Sequence, residues 1–359
     1  MADRRPVGFG RRHEENAANS IPEGTARLDD ESMARLIPVR EARGHKGTFG
    51  RVLVIAGSLD YAGAALLVCR AAGRAGSGLV TLAVPESLQP LFASKVVEAT
   101  TMALPEDDVE EVDPEPALAK ILDNEHDALV IGPGLRPSLA NSDLLRLVLT
   151  APEEAVGPPA VLDAEALRTL ASAEEWWRDV TRPCVLTPHV GEFIRLRAGA
   201  GHDPADDGDL NADDAARVRA ASDAATEWGQ VVVLKGANTV IATPGGQVAV
   251  APFENPAMAS GGTGDVLAGS IGALLAQGLV PFDAACLGVY LHGLAGEAVR
   301  DRLGDAGLLA SDLPDAMPMV RKRLSALADR QRTGRRLGFG LRHVGGHGDA
   351  RESAPPVEG

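Results

Sequence analysis

Six short apolar runs constrain the fold of this chain more than any other feature. They cover residues 51–56, 78–84, 127–131, 160–163, 184–187 and 231–234. Within each, apolar residues follow one another instead of alternating with polar ones. That pattern predicts strands covered on both faces, as in a parallel sheet flanked by helices. The stretches between them carry helical patterns at 61–76, 141–149, 164–171, 191–196 and 213–228. Strand, glycine turn, helix and strand in succession make βαβ units, and the class expected is α/β. Five of the runs give way to glycine or polar residues: Gly57-Ser58, Gly132 to Gly134, Asp163, His189 and Lys235. In an open α/β sheet the carboxyl ends of the strands share one edge, and ligands bind there.

Several further elements are expected. A short helix spans 29–35 and a short edge strand 37–39. Residues 105–120 form a loop followed by a helix, and 199–213 a Gly/Asp-rich surface loop. Segments 239–243 and 247–251 form a hairpin around Pro244-Gly245-Gly246. Helices cover 283–301 and 313–330. The expected domain is residues 27–331, between disordered tails at 1–26 and 332–359 that lack apolar periodicity.

Composition narrows the function. The net charge of −15 argues against nucleic-acid binding through a basic surface. Aromatic residues are only 3%, so the core must rest on Ala, Val and Leu. Cys69, Cys184 and Cys286 are widely spaced and read as buried free thiols. No run has the length of a membrane span, and the polar amino terminus has no signal-peptide character. A soluble cytoplasmic protein is expected.

Chemistry converges on Asn255-Pro-Ala-Met-Ala-Ser-Gly-Gly-Thr-Gly-Asp-Val-Leu-Ala-Gly-Ser270. Small residues up to Gly264 let backbone N–H groups crowd together. A helix starting here turns those N–H groups and its positive dipole end toward one point, which suits phosphate. Gly262, Thr263 and Gly264 form the expected anion hole. Asp265, in the first turn, stands where it can take a proton from a hydroxyl attacking phosphorus. The plainer reading is a glycine turn with an ordinary helix-opening aspartate.

Other residues carry two readings each. Lys235, at a strand end, is a phosphate contact or a solvated lysine. Asp163 is a site residue or a helix cap. His189 is a ligand contact or a turn residue. Glu192 is functional, or a first-turn acid stabilised by the dipole. His292 reads as structural. His45 and Lys46 read as a flexible basic entry to the site. Trp176 and Trp177 read as cover between a helix and the sheet.

Taken together, the motifs resemble the ADP-dependent NAD(P)H-hydrate dehydratases. They are His45-Lys-Gly-Thr-Phe-Gly50, Ala56-Gly-Ser58 with Gly63-Ala64, Ile131-Gly-Pro-Gly134, Leu162-Asp163-Ala164, Thr187-Pro-His-Val-Gly-Glu192, Leu234-Lys-Gly-Ala-Asn-Thr239 and Met258-Ala-Ser-Gly-Gly-Thr-Gly-Asp265. They stand in the family's order across about residues 38–325. The resemblance implies a ribokinase-like fold, with a mainly parallel central sheet and helices on both faces. It implies that Lys235, Gly236, Ala237, Asn238, Thr239 and Gly264 contact the adenine nucleotide. Ala64, Gly134, His189 and Asp265 would contact the hydrated nicotinamide nucleotide, with Asp265 as the catalytic base. His189-Val-Gly-Glu192 stands where kinases of the superfamily carry Asn-x-x-Glu to organise magnesium, so no residue is assigned as a direct metal ligand.

The implied reaction is dehydration of the S form of NADHX or NADPHX at the expense of ADP, with Mg2+. A homotetramer is expected, with the apolar helices supplying interfaces. The epimerase is expected on a separate chain, since no room for it remains here. Two rivals stand beside this reading. One is a small-molecule kinase of the same fold, of the hydroxymethylpyrimidine or hydroxyethylthiazole kinase kind. The other is a non-catalytic nucleotide sensor.

Overall fold

The computed structural model describes residues 21–150 and 157–341. Its strands are β1 (Ala26–Arg27), β2 (Arg51–Ile55), β3 (Leu79–Pro85), β4 (Thr100–Leu104), β5 (Glu106–Asp108), β6 (Glu111–Val112), β7 (Ala128–Ile131), β8 (Ala160–Leu162), β9 (Cys184–Leu186), β10 (Val231–Leu234), β11 (Val240–Ala242) and β12 (Val248–Val250). Its helices are α1 (Asp30–Leu36), α2 (Ala62–Ala75), α3 (Gln89–Ala93), α4 (Pro114–Asp123), α5 (Leu139–Leu149), α6 (Glu165–Ala171), α7 (Val190–Gly199), α8 (Asp214–Trp228), α9 (Thr263–Ala276), α10 (Pro281–Leu303) and α11 (Asp312–Leu341).

Ten strands form one sheet in the order β1-β12-β11-β10-β9-β8-β7-β2-β3-β4. From β10 to β4 every pairing is parallel, while β10, β11 and β12 form an antiparallel meander. Each central strand sends alternate side chains into two separate cores. Val52, Val54, Val130, Val161 and Val185 meet α2, α9, α10 and α11 on one face. Leu53, Ile55, Leu129, Leu162 and Leu186 meet α4 to α8 on the other. Both cores are apolar, which explains why the strands read as unbroken apolar runs. Helix α9 is buried without interruption from Val266 to Ala276, as expected of a helix that is apolar all round. The apolar surfaces of α9 and α10 are therefore used inside the chain and are not available for the subunit interfaces expected from sequence.

The structure departs from sequence expectation in six places. Residues 37–39 are not a strand, because β1 already takes the edge beside β12. Part of the loop at 105–120 is the β5–β6 hairpin, with Glu110 at positive φ. The loop at 199–213 is partly internal: Leu210 is buried, and Asp207 pairs with the buried Arg197 at 3.1 Å. Helix α11 continues to Leu341, past the boundary expected at 331, and Ala26 belongs to the sheet rather than to a tail. Nothing in the sequence signals helix at 332–341: the apolar period is missing, and Gly334, Gly338 and Gly340 are poor helix formers. The other tail residues expected to be disordered lie outside the described residues, apart from 21–25. Finally, His45 and Lys46 sit before β2, at the amino edge of the sheet, where Gly78 N–H donates to the Phe49 and Gly50 carbonyls. They are no entry to a site on the carboxyl edge.

That amino edge yields a stability test. Gly50 has φ +83°, and an added Cβ would overlap the Ala276 carbonyl at the end of α9. Gly50→Ala is expected to destabilise the fold by about 3 kcal/mol, read from the urea midpoint.

Candidate active site

Three neighbouring parallel strands, β8, β9 and β10, end side by side. Asp163 follows the first, Thr187-Pro188-His189 the second and Lys235 the third. A bridge between His189 and Lys235 carries the pairing one step past the strands. The amino end of α9 faces these ends. A cavity of about 810 Å³ lies between them, lined among others by Asp163, His189, Glu192, Lys235, Gly262 and Asp265.

Each side chain is held by local geometry. Gly262 is the residue before α9, with φ +88°, a conformation that suits glycine. An added Cβ would press on Leu67 at 2.7 Å. Thr263 Oγ1 donates to the Met258 and Ser260 carbonyls, both at 3.1 Å, and ties the glycine loop to the helix start. His292 Nε2 lies 2.8 Å from the Thr263 carbonyl. Burial pushes the His292 pKa down to about 4, with the Thr263 carbonyl opposing. The ring is therefore neutral, and Nε2–H is the donor. Helix α9 thus presents its first N–H groups, and its positive dipole end, to the cavity.

Lys235 is the cation at the centre. Its Nζ lies 2.7 Å from Asp163 Oδ1 and 3.8 Å from Glu192 Oε2. It also lies 3.2 Å from where a Cβ of Gly264 would stand, which sets the ammonium against the start of α9. Burial works against its charge, but Asp163 and Glu192 outweigh burial and hold the Lys235 pKa above its ordinary value. Asp163 also accepts from Thr187 Oγ1 at 2.9 Å. Burial raises the Glu192 pKa, with Lys235 opposing and Asp163 reinforcing. Burial likewise raises Asp265, to about 7; Asp163 and Glu192 add to the shift and Lys235 opposes it. A carboxylate poised near neutrality is suited to take a proton and give it back.

The cavity is not lined by polar residues alone. Ala251, Phe253, Met258, Leu267 and Val289 line it, and Phe253 leans on Tyr290 with ring centres 5.2 Å apart. An apolar slot lining beside charged groups suits a molecule that carries both a flat ring and phosphates.

The structure brings together His189, Lys235, Gly236, Ala237, Thr239, Gly262, Thr263, Gly264 and Asp265 around this cavity. Three expected residues stand apart from its lining. Asn238, at φ +51°, turns its amide onto Asp214 Oδ2 at 2.9 Å and Glu254 Oε1 at 2.7 Å. Ala64 and Gly134 pack on each other, with an added Cβ at Gly134 only 2.8 Å from Ala64 Cβ. They sit on the side toward α2, where Leu67, one turn after Ala64, lies against Gly262. The capping reading of Asp163 fails: Ala164 precedes α6 without a side-chain cap, and the Asp163 carboxylate is committed to Lys235 and Thr187. His189 and Glu192 form a reciprocal capping box, with His189 Nδ1 accepting from Gly191 N–H and Glu192 Oε2 from His189 N–H. Sequence reasoning missed Phe253 and Val289. A hydrophobic lining residue carries the same signal as a core residue. His292 is structural, as expected, but it also lines the cavity.

A family model described as NAD(P)H-hydrate dehydratase matches residues 52–319. The chain belongs to the NAD(P)H-hydrate dehydratase family. The match takes in every strand from β3 to β12 and every residue named in the cavity. The chain is similar to the bifunctional NAD(P)H-hydrate repair enzyme Nnr of Moorella thermoacetica, with 44% identity over 287 residues, 79% of this chain and 52% of that one. It therefore spans about half the length of such bifunctional relatives. It is also similar to the ADP-dependent (S)-NAD(P)H-hydrate dehydratase of Bacillus subtilis, 36% identical over 79% of this chain and 93% of that one. A solved structure of an ADP/ATP-dependent NAD(P)H-hydrate dehydratase from Bacillus subtilis, co-crystallised with ATP/Mg2+, superposes with TM-score 0.69 at 34% identity. It covers 84% of this chain and all of that one. The shared architecture is ribokinase-like, as expected from the resemblance. Among the described residues no helix is long and apolar enough to cross a membrane.

Proposed function

We propose that this member of the family dehydrates the S form of NADHX or NADPHX back to NADH or NADPH, using ADP and releasing AMP and phosphate. The observation that carries this reading is the Asp265 carboxylate. It stands in the first turn of α9, in one cavity with the Lys235 ammonium, and its pKa is raised to about 7.

The substrate carries a hydroxyl on C6 of the reduced ring, and hydroxide leaves poorly near neutral pH. Asp265 takes the hydroxyl proton as the oxygen attacks the terminal phosphorus of ADP, and the bond to AMP breaks. The N–H groups at Gly262, Thr263 and Gly264 and the Lys235 ammonium face the phosphoryl oxygens, where charge builds. Phosphate then leaves C6 with the C–O electrons, helped by the ring nitrogen lone pair. Loss of a C5 proton restores the dihydropyridine. Lys235, Gly236, Ala237, Asn238 and Thr239 form the nucleotide strap in this reading. Asn238 acts there through its backbone, since its amide is engaged elsewhere. Ala64, Gly134 and His189 form the side from which the hydrated ring enters.

The donor set fits magnesium of one kind. Asp163 Oδ1 already holds Lys235 and Thr187, and Glu192 Oε2 already holds the His189 N–H. That leaves no dedicated protein cage among the described residues, and phosphate oxygens and water would supply most of the coordination, as Mg2+ usually prefers. When bound, the ion neutralises charge on the phosphates. Asp163 and Glu192 would act from the protein side, as hard oxygen donors at the edge of the cavity. In the same reading the protein is a cytoplasmic homotetramer working with an NAD(P)H-hydrate epimerase. Its cysteines support a reducing compartment, since all three are buried and free.

The test is a product assay with purified protein, hydrated NADH and ADP. Return of dihydronicotinamide absorbance with equal release of AMP and phosphate is expected. A stable phosphate ester would make the protein a small-molecule kinase, and binding without nucleotide turnover a sensor. Light scattering checks the tetramer.

A further inference from the structure

We propose that Arg217, on α8, is the positioning residue of the nucleotide strap at 235–239 and holds it from the side away from the cavity. This rests on the reading of the strap as a nucleotide site. It deepens that reading by saying what keeps the strap in place.

Arg217 is only 3% exposed, and a buried cation is costly unless it is paired and hydrogen-bonded. Its hydrogen bonds go to backbone carbonyls, Leu234 at 2.9 Å and Leu210 at 3.3 Å. Its Nε is buried with no partner among the described residues. A side chain there only to fill space would be better apolar; burial opposes the Arg217 charge, while Asp214, one turn earlier on α8, favours it. What Arg217 does reach is backbone: the Leu210 carbonyl ahead of α8 and the Leu234 carbonyl at the entry to the strap. The Leu234 carbonyl is the last of β10, immediately before Lys235. The guanidinium then runs beneath Gly236: an added Cβ would stand 2.8 Å from Nη2 and 3.0 Å from Cζ, and closer still to Nη1.

The strap needs such a support. It lies between β10 and β11, whose pairing closes at Leu234 and Val240, so past the single His189–Lys235 bridge it has no ladder of its own. Its ties on the sheet side are Lys235 N–H to the Pro188 carbonyl at 2.8 Å, Asn238 N–H to the Phe253 carbonyl at 3.0 Å and, at its far end, Ala251 N–H to the Thr239 carbonyl at 2.9 Å. On the other side α8 holds it twice. Arg217 takes the entry, and Asp214, one turn earlier on the same helix, takes the Asn238 amide at 2.9 Å. Gly236 and Ala237 line the cavity, so a shift of the guanidinium moves backbone that faces the nucleotide. Arg217 itself is outside the lining and acts through the strap.

The experiment compares Arg217→Met, Arg217→Lys, Gly236→Ala and the Arg217→Met/Gly236→Ala double variant, in the full chain. ADP affinity is read by calorimetry and by the ADP-induced rise in Tm, alongside steady-state kinetics. Arg217→Met is expected to weaken ADP binding and raise the ADP KM by about tenfold, the scale of a lost charged hydrogen bond. The hydrate KM and kcat should stay within about twofold, and Arg217→Lys should recover part of the loss. Gly236→Ala should cost more ADP affinity in the parent protein than in the Arg217→Met background. In that background no guanidinium remains for the new Cβ to meet, so the pair should be non-additive. Additive effects, or equal losses in kcat and hydrate KM, overturn the proposal. If Arg217→Met does not fold, Gly236→Ala and Arg217→Lys still decide it through the ADP-specific split. If Lys235→Ala leaves the ADP requirement unchanged, the nucleotide reading of the strap fails instead. Coupling between positions 217 and 236 would then appear in urea stability and not in ADP binding.

Discussion

Asp265→Asn is expected to lower turnover by about 10³–10⁴-fold, the scale of a lost general base, while ADP binding persists. The amide keeps the shape of the carboxylate and most of its contacts but cannot accept the hydroxyl proton. In the parent protein, kcat/KM should rise with pH and level off, with an inflection near the Asp265 pKa of about 7. That limb should vanish in the variant's residual activity. A variant with near-normal turnover would remove Asp265 from the base role.

The same variant should gain stability, and the sign follows from the shift. The folded pKa of about 7 lies above the ordinary 3.8, so folding disfavours the ionised form. The penalty is full above pH 7, shrinks as pH falls, and is absent below the unfolded value. Asp265→Asn is therefore expected to stabilise the protein by about 1–2 kcal/mol at pH 8, a value discounted for partial exposure. The gain should be smaller at pH 5. Urea unfolding at the two pH values checks it, and a larger gain at pH 5 would contradict the assignment.

Lys235→Ala is expected to raise the ADP requirement by about 100-fold, since it removes the ammonium facing the phosphates together with its charged hydrogen bonds. It also leaves Asp163 and Glu192 without the cation that sits 2.7 Å and 3.8 Å away. Breaking a buried pair in this way costs about 3 kcal/mol. The Lys235 pKa is raised, so its contribution is complete below the unfolded value of 10.5 and is lost only as pH passes the folded one. The stability loss should therefore be present across the range of about pH 6–9. Unchanged ADP dependence would refute the contact.

Much of this architecture was legible in the chain. The runs at 51–56, 127–131 and 231–234 are strands because they are covered on both faces, and a residue flanked by apolar neighbours on both sides of the sheet leaves its mark on the sequence. The α9 start was legible too, because Gly262 at φ +88° and Asp265 in the first turn follow from local backbone chemistry. Less legible were elements whose pattern competes with tertiary context. The edge beside β12 went to Ala26–Arg27 and not to residues 37–39. The slot residues Phe253 and Val289 look like any other core residues.

Local chain chemistry settles which segments are the central strands, where those strands end, and that a carboxylate opens a helix beside a run of glycines. Each of these is decided within a few residues of backbone. What the polar strand ends do to one another is set by the assembled sheet. Asp163 and Lys235 are 72 residues apart, and whether Asp163 caps a helix or holds an ammonium depends on β8, β9 and β10 lying side by side. That order also sets the Asp265 pKa, because desolvation and neighbouring charge act through space and leave no trace in local sequence.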